Sequence, residues 1–202
     1  MQLFVSNTRN FMSSETLLIK NETIMTHHPL ERFVCCPVCG SREFVVNNVK
    51  SKRCKACGFT YYANPSSATA AFIIRDGCLL VAKRGKEPAK GTLDLPGGFV
   101  DMDETVEEGM AREIREETGL EARSMSYLFS LPNLYEYSGM MIHTLDMFFR
   151  VEVDADAVPR ADDDAAGLQW IPLKDVQPAL FGLNSIRKAV DYFVTSMVTA
   201  SN

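Results

Sequence analysis

Apolar and polar positions change rhythm along the chain. Residues 1 to 24 open with Gln2, Ser6, Asn7 and Asn10 and show no sustained period. They read as a tail, or as an extension ahead of a start at Met25, within a flexible N-terminal stretch over 1–30. Ala68 to Arg75 is apolar and β-prone, Asp76-Gly77 is a two-residue hairpin turn, and Cys78 to Ala82 is the return strand. A loop from Gly85 to Gly91 leads on to Pro96-Gly97-Gly98. Val106, Met110 and Ile114 then recur every four residues, which predicts a helix over 105–118. Thr105 and Glu108 form a capping box at its start, and Gly119 stands at its C-terminal cap. Strands are expected over 122–130, 143–153 and 169–173, with an acidic loop over 154–164 whose Asp162, Asp163 and Asp164 are read as solvated. A closing helix over 184–197 would bury Ile186, Val190, Phe193 and Met197. Strands and helices alternating around one sheet predict an α/β fold.

Composition narrows the class. The 202 residues are 46% hydrophobic and 23% charged, the balance of a soluble globular protein, and no window approaches the ~18 uninterrupted apolar residues of a membrane span. The net charge of -5 speaks against a dedicated nucleic-acid binder. No basic segment followed by a continuous apolar run stands at the start, so a reducing, cytoplasmic setting is expected for the six cysteines.

Five of those cysteines fall within 33–60, a stretch with too few apolar residues to fold on burial alone. Cys36-Pro37-Val38-Cys39-Gly40 and Cys54-Lys55-Ala56-Cys57-Gly58 are two CxxC-Gly units with 14 residues between Cys39 and Cys54, the spacing of a four-thiolate zinc site. Zinc there would supply the folding free energy that the small core lacks. Cys36 is preferred over Cys35 because it completes the CxxC pair. A closed site of four thiolates has no open coordination position, so this zinc is structural. Lys50, Lys52, Arg53 and Lys55 are read as a solvated turn in preference to a phosphate grip, since no aromatic residues interleave with the charge. Cys78 is expected as a small core residue, and Phe59, Tyr61, Tyr62 and Asn64-Pro65 as a seam between this module and the main domain.

The helix over 105–118 carries the chemistry. Glu113, Glu116 and Glu117 stand at i, i+3 and i+4, on one face, with Glu107 and Glu108 nearby. Like charges so placed repel, and Arg112 alone cannot neutralise three carboxylates. Divalent ions can, and an all-oxygen donor set without histidine selects Mg2+ or Mn2+. Such ions are commonly shared with phosphate, and the Cβ-free turn at Gly97 and Gly98 allows backbone to approach a ligand closely.

Gly98, Glu104 and the run Arg112-Glu113-Ile114-Arg115-Glu116-Glu117-Thr118-Gly119-Leu120 resemble the Nudix box, Gly-x5-Glu-x7-Arg-Glu-U-x-Glu-Glu-x-Gly-U with U aliphatic, at every specified position. The likeness covers about residues 66 to 198. It implies an α/β/α sandwich with a mixed sheet over 63–202, preceded by a zinc ribbon over 31–62. It implies attack of water on phosphorus in the P–O–P bridge of a nucleoside diphosphate derivative, with Mg2+ or Mn2+ as cofactor. Carried over, Glu113, Glu116 and Glu117 ligate metal, Arg112 orients a glutamate, Gly98 shapes the loop, and Glu104 is an auxiliary ligand or a partner for Arg112. The general base stays open between Glu117 and a loop carboxylate such as Glu136. A zinc ribbon before such a domain resembles the NADH pyrophosphatase branch, which makes NADH or ADP-ribose the first substrate class. Where that branch has Ser-Gln-Pro-Trp this chain has Ser130-Leu131-Pro132-Asn133, and Tyr135 and Tyr137 beside it are candidates for stacking on a base or recognising a sugar. A homodimer is implied by the resemblance. RNA 5′-end or nucleoside triphosphate hydrolysis and a ligand-sensing regulator are the alternative readings, the first of which would bring nucleic acid in as a partner.

Overall fold

A computed structural model describes residues 28–161 and 165–200. The N-terminal stretch before His28, the Asp162–Asp164 run and the side chain of Met197 lie outside the described residues.

The cysteine module is a three-stranded antiparallel sheet of β1 (Phe44–Asn48), β2 (Ser51–Cys54) and β3 (Thr60–Tyr62). Its core is small: Phe44 packs with Cys36 and Cys54 against Phe33 and Phe59. One sequence expectation is corrected here. Lys52 is 7% exposed, donating to the Phe33 carbonyl at 2.9 Å with its ammonium over the Phe44 ring, so it belongs to the module's interior and not to a solvated turn. Its long stem is apolar enough to be buried once the ammonium has a partner. Phe59 and Tyr61 pack within the module, Tyr61 stacking on Phe33 at 5.9 Å, while Pro65 lines a pocket together with Pro132, His143 and Leu145 of the main domain.

In the main domain β4 (Ser66–Arg75) runs parallel to β8 (Met140–Val153), which pairs along its length with antiparallel β7 (Ala122–Tyr137). The β7–β8 hairpin extends further than the sequence pattern predicts, turning only at Ser138-Gly139. Pro132 within β7 is tolerated because β7 is an edge strand. β4 turns through Asp76-Gly77, both at positive φ, into β5 (Cys78–Arg84). Only the base of that hairpin is laddered, at Ile74↔Leu79 and Arg75↔Cys78. Beyond it β5 pairs instead with β6 (Leu93–Asp94) and β9 (Ala165–Pro172). Cys78, at the start of β5, is only partly buried.

Alternation along the strands divides the core into two layers. On one face Ala71, Ile73, Leu80, Phe149 and Val151 meet Met110 and Ile114 of α1 (Val106–Thr118). On the other Ala70, Phe72, Leu79, Val81 and Phe148 meet Ile186, Val190 and Phe193 of α2 (Asn184–Ala200). The result is the expected α/β/α sandwich. Thr105 caps α1 through the predicted box with Glu108, and Gly119 closes it in the left-handed conformation. No helix among the described residues is long and apolar enough to cross a membrane.

Candidate active site

The Pro-Gly-Gly loop takes the strand position that β5 leaves empty. Thr69 donates its N–H to the Gly98 carbonyl and Ala71 to that of Pro96, each at 2.8 Å, and Val100 donates back to Ser67 at 3.0 Å. Approach this close excludes side chains. A Cβ on Gly97, whose φ is +150°, would sit 2.1 Å from the Thr69 carbonyl oxygen, and one on Gly98 would sit 2.6 Å from the Glu113 carboxylate. With both glycines bare, α1 presses its carboxylates against the loop backbone: Gly97 N–H donates to Glu117 at 2.9 Å.

Arg112 organises the remaining acids. Nε and Nη2 form a fork on Glu104 at 2.8 and 3.0 Å, Nη1 reaches Glu113 at 2.8 Å and Glu116 at 3.1 Å, and Nη2 also meets the Phe99 carbonyl at 2.9 Å. Glu104 is therefore the partner of Arg112, and its hydrogen bonds from that guanidinium hold its carboxyl below the ordinary range. Glu117 receives no such cation contact. Burial pushes its carboxyl up to about 8, against the pull of the Gly97 N–H and with a push from Glu113 and Asp94. Burial also raises Glu113, against the Arg112 contact.

Three carboxylates share one helix face, two of them with carboxyls raised by partial burial, and donors of that all-oxygen kind would suit a divalent Mg2+ or Mn2+; among the described residues it is the four cysteines whose ligand atoms already lie close enough together to share one ion. The four thiols fit zinc. Cys36, Cys39, Cys54 and Cys57 place their sulfurs within 4.8 Å of one another, with Cys36–Cys57 at 3.7 Å and Cys39–Cys54 at 3.6 Å. Tetrahedral Zn–S bonds of ~2.3 Å require sulfur separations of about 3.8 Å. Backbone N–H groups of Cys57 and Ala56 draw the Cys54 thiol down to about 6. Cys39, despite a lowering contact from Ser41, is pushed up to about 12 by the thiols around it, so a shared cation is what would let all four ionise. Cys35 is not in the cluster.

A cleft of about 450 Å³ opens where β4 and β5 part. It gathers Gly97, Gly98, Glu113, Glu117, Tyr135 and Tyr137, all anticipated from the sequence, while Glu116, Arg112 and Glu104 are not among its lining residues. Tyr135 packs edge-on against Phe99 at 5.9 Å. Glu136 is exposed, alternates with its two tyrosine neighbours along β7, and is not among the residues lining the cleft. Among the polar groups of the lining that sequence reasoning did not single out as site residues are Arg84, Asp94, Asn133 and Asp146. Arg84 and Asp94 make an ion pair next to Glu117, and burial raises Asp94 against the Arg84 charge. Their pairing depends on the β5–β6 register, and that of Asn133 and Asp146 on the β7–β8 register, neither of which is written in local periodicity.

The NUDIX domain model matches residues 64–193. ADP-ribose pyrophosphatase of Methanocaldococcus jannaschii is 33% identical over 132 residues, which cover 64% of this chain and 75% of that protein. NAD-capped RNA hydrolase NudC of Vibrio parahaemolyticus is 26% identical over 161 residues, which cover 80% of this chain and 59% of that protein. The chain spans about half the length of several such NudC relatives, 55% of that from Pseudomonas aeruginosa and 49% of that from Deinococcus radiodurans. Among solved structures, a NUDIX hydrolase from Nitrosomonas europaea superposes with a TM-score of 0.63 at 19% identity, covering 80% of this chain and 90% of the other. MutT NUDIX hydrolase from Burkholderia pseudomallei gives 0.55 at 30% identity, covering 63% and 97%.

Proposed function

The chain belongs to the NUDIX family of pyrophosphohydrolases, and from that premise we propose that it hydrolyses the diphosphate bridge of an adenosine-containing nucleoside diphosphate derivative of the ADP-ribose or NADH class. The observation that carries this reading is the pairing, within one cleft, of Glu113 and Glu117, both with carboxyls raised by burial, on one wall with Tyr135 and Tyr137 on another. One end of the cleft suits a metal–diphosphate and the other a flat ring.

In this reading Glu113, Glu116 and Glu117 would hold Mg2+ or Mn2+, which would supply neutralisation of phosphate charge and activation of water. Arg112 holds Glu113 and Glu116 at fixed distances from each other, and Glu104 fixes Arg112 in turn. Gly97 sets Glu117 through its N–H and leaves the loop bare enough for phosphate oxygens to approach. Glu136 does not line the cleft, so the proton acceptor is sought among the cleft carboxylates Glu113, Glu117 and Asp94. The ribbon, as a closed thiolate site, is structural.

The test is a Mg2+-dependent hydrolysis panel on zinc-loaded protein with ADP-ribose, NADH, NAD+, nucleoside triphosphates and NAD-capped RNA, with Glu117→Gln beside it. Release of AMP from ADP-ribose or NADH, lost by at least ~100-fold in the variant while its fold is retained, is expected. Near-normal turnover by Glu117→Gln would refute the metal assignment, and exclusive action on triphosphates would refute the substrate class.

A further inference from the structure

Asp146 is almost fully buried at the inner end of the cleft, and it is ringed by donors from three elements. Thr144 Oγ1 reaches its Oδ1 at 2.6 Å, while Asn133 Nδ2 from β7 at 3.1 Å and Ser185 Oγ from the start of α2 at 2.5 Å reach its Oδ2. A carboxylate only accepts hydrogen bonds, so it dictates which way the Asn133 amide turns. The NH2 must face Asp146 and the carbonyl oxygen must face away from it. Asn133 itself lines the cleft, and its carbonyl and second N–H are the groups it can offer there.

The neighbours of Asn133 give that offer a shape. In the β7–β8 ladder Asn133 stands opposite Thr144 and Leu131 opposite Asp146, so Asn133, Tyr135 and Tyr137 follow one another at two-residue spacing on the face that carries Thr144 and Asp146. Tyr135 is braced by Phe99, and Tyr137, 60% exposed, stands at the mouth. A flat ring stacked along the tyrosines therefore brings its edge to an acceptor and a donor side by side.

We propose that Asn133, oriented by Asp146, is the base-reading group of this cleft, and that it selects an amidine edge: an exocyclic amine next to an unprotonated ring nitrogen. Adenine and cytosine carry that edge. In the same stacked pose hypoxanthine and uracil present the reverse pair, a carbonyl next to a ring N–H, and leave the asparagine carbonyl, whose direction Asp146 fixes, facing an acceptor. An asparagine side chain matches the adjacent donor and acceptor of adenine in two hydrogen bonds. The larger purine fills more of the tyrosine surface, which favours adenine over cytosine. Asn133 occupies the last position of the Ser130-Leu131-Pro132-Asn133 segment. The subsite deepens the nucleotide reading above and rests on it, but binding tests it without turnover.

The experiment is equilibrium binding of AMP, IMP, CMP and UMP to the zinc-loaded protein, for the unmodified chain, Asn133→Ala and Asn133→Leu, with thermal melting to check that each variant is folded. AMP is expected to bind about ten-fold or more tightly than IMP, and CMP more tightly than UMP, with AMP above CMP. Both preferences should fall to within about two-fold in either variant. Equal affinity of the unmodified protein for AMP and IMP, a preference that survives both substitutions, or no binding of any of the four would overturn the subsite. Loss of ADP-ribose hydrolysis with the AMP preference intact would strike the proposed reaction and leave the subsite standing.

Discussion

Glu117 is held in a state that costs stability until a cation arrives, and replacing it with glutamine should expose that cost. Its carboxyl has an ordinary value of 4.5 and is pushed up to about 8 by burial. Below the ordinary value both folded and unfolded chains are protonated there, and the group contributes nothing to pH dependence. Above it the unfolded chain ionises freely while the folded one retains its proton, so stability falls as pH rises, until about 8. At ~1.4 kcal/mol per unit the loss between about pH 5 and 8 is roughly 3 kcal/mol. Glu113 and Asp94, also raised by burial, add to it in the same direction. The assay is urea unfolding of zinc-loaded, magnesium-free protein across that range, for the unmodified chain and for Glu117→Gln. The variant should lose roughly 3 kcal/mol less than the unmodified chain over the same interval, so that it is the more stable protein at pH 8. Adding Mg2+ at pH 8 should stabilise the unmodified chain by mass action and the variant much less. Parallel pH curves for the two proteins, or equal stabilisation of both by Mg2+, would refute the view that Glu117 is a buried acid awaiting a cation.

Gly97→Ala should destabilise the main domain by roughly 3 kcal/mol or more, because the new Cβ would lie 2.1 Å from the Thr69 carbonyl oxygen and 2.8 Å from the Ala70 Cα, both backbone atoms. Thermal melting reads this, and an unchanged Tm would show that the loop does not sit against β4 as described. Cys39→Ser should remove the zinc equivalent on elemental analysis and open residues 33–60 to limited proteolysis, while the main domain, with its own two-layered core, keeps its melting transition. Full zinc content in that variant would dismiss the four-thiolate site.

Sequence reasoning could read what is local. The CxxC-Gly pairs, the i, i+3, i+4 glutamates, the capping box and the Asp76-Gly77 turn each depend on neighbours a few residues away, and the structure has each where the spacing puts it. What it could not read depends on partners distant in the chain. Lys52 looked solvated because its acceptor, the Phe33 carbonyl, lies 19 residues back. Glu136 looked available because nothing local says which face of β7 meets the cleft. That face is set by a 14-pair register with β8, with two irregularities that no period reveals. Asn133 and Asp146 were invisible for the same reason: they are 13 residues apart, joined only because a long hairpin folds back on itself.

The parting of β4 from β5 ties these observations together. Had the hairpin laddered along its whole length, β5 side chains would stand between α1 and the α2-side face of the sheet, and the helix carboxylates would be sealed beneath an ordinary core. Because the ladder stops after Ile74↔Leu79 and Arg75↔Cys78, the free edge of β4 is satisfied instead by the carbonyls of Pro96 and Gly98. A loop in a strand position meets the backbone hydrogen-bonding demand of a buried edge just as a strand would. Unlike a strand of ordinary residues it carries no side chain at Gly97 or Gly98, so Glu113 and Glu117 reach the cleft through the gap. The same gap lets Asn133 and Asp146, on strands at the other side of β4, face the same space as α1. One interrupted ladder thus brings a pair of carboxyls raised by burial and the proposed base-reading amide into a single cleft of about 450 Å³, and the glycines that hold the interruption open are as necessary to the proposed chemistry as the glutamates.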